Sequence, residues 1–100
     1  MAIKPLPRKV SYTERDNKTK RKGMVTQVVF VEESYPWGDY RKEAQLIVWK
    51  DGGKAIRLAY YVKNHGAPKR DYHWGSQTTI ILRIHSAKKL FREIHKLIGS

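Results

Sequence analysis

The chain has no cysteine in its 100 residues. That excludes disulfides and thiolate metal sites, and it suits a reducing compartment. Acids are scarce, nine against 21 Lys and Arg, so the formal net charge is +12. No apolar run approaches the roughly 20 residues of a membrane span. The opening MAIKPLPRKV lacks the apolar stretch of a signal peptide. A glycine-rich phosphate loop is also missing. The carboxylates include no spaced acidic pair beside a histidine, the arrangement that general acid–base chemistry or a metal site needs. His65, His73, His85 and His95 are scattered at spacings that fit no zinc pattern. The residues therefore point away from an enzyme and imply no cofactor and no metal. The expected setting is the cytoplasm or nucleoid, or the nucleus in a eukaryote, without a membrane partner.

What is present is positive charge along the whole chain. Residues 1–23 hold eight Lys or Arg and two acids, and residues 24–100 hold thirteen and seven. A polyanion partner follows, because each neutralised phosphate releases counterions. One hundred residues make a single domain. Such a domain buries only about two-thirds of its unfolded surface, so pairing with a second copy would help it.

Residues 1–23 carry two prolines and the run NKTKRKG, with few apolar side chains. They read as a flexible basic arm ahead of a binding domain over 24–100. Val25 to Val31 is rich in β-branched residues and predicts a strand. Residues 33–40, with Pro36 and Gly38, read as a loop. Arg41 to Lys50 predicts a second strand, and Lys54 to Lys63 a third. Asp51-Gly52-Gly53 between them is a hairpin signal. Residues 64–76 read as a long loop, and Gln77 to His85 as a fourth strand. Ala87, Leu90, Phe91, Ile94, Leu97 and Ile98 then recur at helical spacing. Ser86 stands where an N-cap would, and Gly99 where a helix would stop.

The fold class is therefore α+β: a curved four-stranded antiparallel sheet followed by an amphipathic C-terminal helix, in the order β-β-β-β-α. Side chains alternate along the third strand. Ile56, Leu58, Tyr60 and Val62 are expected to meet the helix, which leaves Arg57, Ala59, Tyr61 and Lys63 on a basic, aromatic face. The helix has more apolar positions than so small a sheet must cover, which predicts a homodimer through it.

Aromatic rings lie among the cations. Single-strand binders need rings on which unpaired bases stack and cations that follow the backbone. The candidate phosphate contacts are Arg41, Lys42, Lys50, Lys54, Arg57, Lys63, Lys69 and Arg70. The candidate stacking rings are Trp37, Tyr61, Tyr72 and Trp74, with Trp49 and Tyr60 expected to plug the core.

YRKEAQLIVWKD (40–51), AIRLAYY (55–61), TIILRI (79–84) and SAKKLFREIHKLI (86–98) stand in a familiar order. Over residues 25–98 the chain resembles the single-stranded-DNA-binding domain of the transcriptional coactivator positive cofactor four and its bacterial relatives. The resemblance implies a strongly curved sheet, a helix that pairs with its mate in a homodimer, and grooves that take single-stranded DNA. By position, Arg57 matches the family's strand arginine, and Tyr60 or Tyr61 the aromatic after it. Arg41 and Lys42 fall in its basic lead-in. The family's short Lys-Gly turn before the last strand is replaced here by DYHWGSQ (71–77). The loop holding it is expected to tune affinity or substrate choice.

The expected function is sequence-tolerant binding of single-stranded DNA in replication, repair or transcription. The alternatives are an RNA-binding or ribosome-associated module, and a transcription adaptor whose partner is a protein.

Overall fold

The computed structural model describes residues 3–13, 18–66, 71–76 and 79–99. Six strands form one antiparallel sheet: β1 (Arg8–Thr13), β2 (Lys20–Tyr35), β3 (Gly38–Trp49), β4 (Lys54–Asn64), β5 (His73–Trp74) and β6 (Ile80–Arg83). Helix α1 (Ile84–Ile98) follows. The strands lie in the order β1-β2-β3-β4-β5, and β6 pairs with β4 beside β5. The α+β class holds, with six strands in place of four.

Alternation builds the sheet. Along β3, Glu43, Gln45, Ile47 and Trp49 are buried, and the residues between them are not. The core lies on that same face, where Val10, Val25, Ile47, Trp49 and Ala55 cluster with Val28 and Ile81 against them. On β2 the register shifts between Val25 and Gln27. A bulge of this kind bends a strand and raises its twist. The sheet curls into a half-barrel, so Arg8 of β1 reaches Glu43 of β3 at 2.9 Å. Trp49 packs inside the curl directly on Gly23. A Cβ at Gly23 would lie 2.9 Å from the indole and 2.7 Å from the Val48 carbonyl oxygen. Gly23→Ala is expected to destabilise the fold by about 1–3 kcal/mol through overpacking, read by chemical denaturation.

The expected β3–β4 hairpin is present. Gly52 takes a φ of 94° in its turn, and the Gly53 N–H donates to Asp51 Oδ1 at 2.8 Å. That left-handed φ suits glycine. Trp49 plugs the core as expected.

Several expectations are corrected. Residues 8–13 of the stretch read as a flexible arm form β1, and Lys20–Gly23 begin β2. Residues 33–40 are mostly strand, because Tyr35 pairs with Gly38 and leaves only Pro36 and Trp37 as the turn. Residues 64–76 contain β5, which pairs His73 and Trp74 with Val62 and Tyr61. Ser86 is not the N-cap. β6 runs straight into the helix, and Arg83 holds the cap position with no side-chain bond. Gly99 does end the helix, with a left-handed φ of 77°. On β4 the more buried face is also the other one. Ala55, Ala59 and Tyr61 are buried, while Ile56, Leu58, Tyr60 and Val62 are half-buried. The curl encloses the first set, so Tyr61 is not an open stacking ring.

Candidate nucleic-acid interface

The concave face carries a polar run inside the curl. Strand alternation places Arg41, Glu43 and Gln45 of β3 on it. The register sets Arg41 opposite Tyr61 and Gln45 opposite Arg57 on β4. Trp74 of β5 stands beside Tyr61, and Phe30 of β2 beside Glu43.

Glu43 is the hub. Its side chain is fully shielded from solvent, and Oε1 accepts from Arg8 Nη1 and Gln45 Nε2 at 2.9 and 2.8 Å. Oε2 accepts from Arg41 Nε at 2.8 Å. Gln45 Oε1 in turn accepts from Arg57 Nε at 2.6 Å. Burial pushes the Glu43 carboxyl up, but the hydrogen bonds from Arg8, Gln45 and Arg41 outweigh it and hold the carboxyl below its ordinary value. One buried carboxylate thus bonds Arg8 and Arg41 directly and Arg57 through Gln45, while Glu32 of β2 stands opposite Arg41 in the register.

Each arginine also lies on a ring. The Arg8 guanidinium carbon is 5.8 Å from the Tyr61 centroid, Arg41 is 3.6 Å from Phe30, and Arg57 is 5.1 Å from Trp74. Trp74 meets Tyr61 edge to face at 5.4 Å and is itself 43% exposed. Such cation–π contacts help hold the guanidinium groups beside the rings. Arg41 and Arg57 bond Glu43 and Gln45 through Nε, and among the described residues their terminal nitrogens have no hydrogen-bond partner. Burial lowers the pKa of Arg57. The group stays charged at neutral pH, because a guanidinium starts so far above it. A partly desolvated cation attracts phosphate more strongly than a hydrated one.

Of the residues expected from sequence, the concave face gathers Arg41, Arg57, Tyr61 and Trp74. Lys42 falls on the convex face, where it pairs with Glu33. Trp37 caps the β2–β3 turn. Lys50 and Lys54 are exposed at the opposite end, by the β3–β4 turn. Lys63 is exposed near the end of β4, across from Asp39. Lys69 and Arg70 lie outside the described residues. Tyr72 is half-buried, and burial raises its pKa, helped by the charges of Glu32, Asp39 and Asp71. The Arg41 charge opposes that rise.

Arg8, Glu43, Gln45 and Phe30 were missing from the sequence-derived set. One signal was available. Arg41, Glu43 and Gln45 extend the same alternation as Ile47 and Trp49, so any curl that buries the latter pair turns the former inward.

Among the described residues, no helix is long and apolar enough to cross a membrane. Comparison with protein-family models, with curated proteins and with solved structures finds no match for this chain.

Proposed function

We propose that the chain is a sequence-tolerant single-stranded DNA-binding protein that acts as a homodimer. The observation that carries this reading is the concave trio of Arg8, Arg41 and Arg57, each on an aromatic ring and all organised around Glu43. Arg41 and Arg57 offer their terminal nitrogens to phosphate oxygens. Trp74 offers a half-open ring to a base, and buried Tyr61 holds that ring edge-on. Stacking of this kind needs an unpaired base and tolerates any of the four. A duplex would call for a helix or ribbon seated in its major groove. Binding of exposed strands would protect or remodel them in replication, repair or transcription. The resemblance to the positive cofactor four family agrees with this reading.

Fluorescence anisotropy with oligo-dT and a matched duplex tests it. Tighter binding of the single strand, weakening as salt rises, is expected; equal or tighter duplex binding contradicts it. A matched RNA competitor separates DNA from RNA, which the 2′-hydroxyl distinguishes.

The dimer rests on unpartnered apolar surface. Ala87 is the one buried residue of α1, while Phe91, Leu97 and Ile98 are exposed. A second apolar row, Val29, Ala44, Leu58 and Ile80, crosses four strands on the convex face. A monomer would leave both to water, an unusual apolar expanse for a soluble chain. Sedimentation velocity is expected to give about twice the 11.7 kDa chain mass. Phe91→Glu with Leu97→Glu is expected to give the single-chain mass. An unchanged mass for that variant would contradict dimerisation through the helix.

A further inference from the structure

We infer that the tip of the β2–β3 hairpin is a second base-stacking station, on the opposite face of the sheet from the arginine groove. The inference rests on the single-strand reading above and deepens it. Tyr35, Tyr40 and Tyr60 point to the convex face by strand alternation, and Trp37 sits above them in the turn. The rings form a ladder. Trp37 stacks on Tyr35 with centroids 5.1 Å apart and planes 12° from parallel. Tyr40 meets Tyr35 edge-on at 5.5 Å and lies tilted by 47° against Tyr60 at 5.9 Å. Tyr35, Trp37, Tyr40 and Tyr60, with Lys42, line a cleft of about 390 Å³.

Trp37 is exposed yet fastened. It is 61% exposed, so Tyr35 covers only part of the ring. Its Nε1–H donates to Tyr40 Oη at 3.1 Å, and its carbonyl accepts from the His65 N–H at 3.0 Å. His65 also ties β4 to the turn, through contacts to Asp39 Oδ1 at 2.9 Å and the Pro36 carbonyl at 3.2 Å. Core packing accounts for none of this, because the tip lies outside the core cluster. A ring held in place before its ligand arrives loses little freedom on binding. An open indole face with that property suits an unpaired base.

Charge distinguishes this station from the groove. Lys42 pairs with Glu33, and Asp39 is held by Ser34 and His65. The tip therefore offers a stacking surface with its charges already matched, and a base bound there displaces few counterions. A strand seated in the groove would cross the sheet edge to reach it, so only longer strands fill both.

Affinities of wild type, Trp37→Ala and Trp37→Phe for oligo-dT of about 6 and about 30 nucleotides, spanning the usual site sizes, test this. Thermal melting checks the fold of each variant. Trp37→Ala is expected to weaken binding of the long strand by about fivefold to a hundredfold. The slope of log affinity against log salt should stay at the wild-type value. The short strand should bind Trp37→Ala and wild type alike, and Trp37→Phe should retain most of the affinity. Undiminished long-strand binding by Trp37→Ala overturns the second station alone. A loss accompanied by a shallower salt slope also overturns it, since the tip would then be a phosphate site. Failure of the wild type to bind oligo-dT overturns the single-strand reading and this inference with it.

Discussion

Glu43→Ala is expected to lower folding stability by about 3–5 kcal/mol, the usual effect of removing one partner from a buried ion pair. Arg8 and Arg41 would then face each other inside the curl with no carboxylate between them, and Gln45 would lose the acceptor that orients it toward Arg57. Small domains have only about 5–15 kcal/mol in all, so this variant would lose a large part of its stability. Glu43→Gln keeps the shape and one acceptor oxygen, and a smaller loss of about 1–3 kcal/mol is expected. Urea denaturation separates the three proteins.

The same residue sets a pH dependence. The folded-state pKa of Glu43 lies below its unfolded value, because its three hydrogen bonds outweigh burial. The unfolded state therefore binds the proton first. The contribution is fully present above the unfolded carboxyl value of about 4.3 and is lost as pH falls through the lower folded value. Exposed Asp39, lowered by its bond from Ser34 and then by His65, and Asp51, lowered chiefly by the Gly53 N–H, act in the same direction. Denaturation midpoints across acidic pH should fall more shallowly in Glu43→Gln than in wild type. Parallel curves would mean that Glu43 carries little of the acid sensitivity.

Arg57→Ala is expected to give the largest loss of single-strand affinity of any one groove substitution. The side chain is charged, partly desolvated, fixed by Gln45 and set against Trp74. A hydrogen bond to a charged group contributes about 1.5–3 kcal/mol, so the affinity should fall roughly tenfold to 150-fold. The salt slope should also decrease by about one, as for one lost phosphate contact. Arg57→Lys keeps the charge but not the planar fork or the ring stacking, so only part of the affinity should return. Removing Arg57 leaves the buried Gln45 amide oxygen without its donor, so circular dichroism checks that the fold survives. A loss of affinity at constant slope would mean that Arg57 positions Trp74 without touching phosphate.

Two local signals in the chain are plain, and the long-range ones are not. The helix is announced by the spacing of Ala87, Leu90, Phe91, Ile94, Leu97 and Ile98, because one apolar stripe repeats for about three turns. The β3–β4 hairpin followed from Asp51-Gly52-Gly53, whose geometry depends only on itself. Strand β1 was illegible because RKVSYT buries just Arg8 and Val10, and it becomes a strand only by pairing with β2. Which face of β4 is the more buried is illegible for a related reason. Both faces of that strand carry apolar side chains, and only the curl decides which is enclosed. Arg57 and Trp74, which residue type and spacing single out, lie together on the concave face. The carboxylate that organises the groove is not singled out in that way, because a buried glutamate is tolerable only once Arg8, 35 positions away, has folded back onto it.

The central claim is that single strands lie along the concave face. Nitrogen-15 NMR during titration with oligo-dT tests it most directly, with the Nε–H signals of Arg8, Arg41 and Arg57 and the indole N–H of Trp74 as reporters. Saturable shifts of Arg41, Arg57 and Trp74 at the lowest strand concentrations are predicted, with the lysines at the β3–β4 end moving little. Shifts confined to Lys50, Lys54 and their neighbours, with the groove signals still, would contradict it.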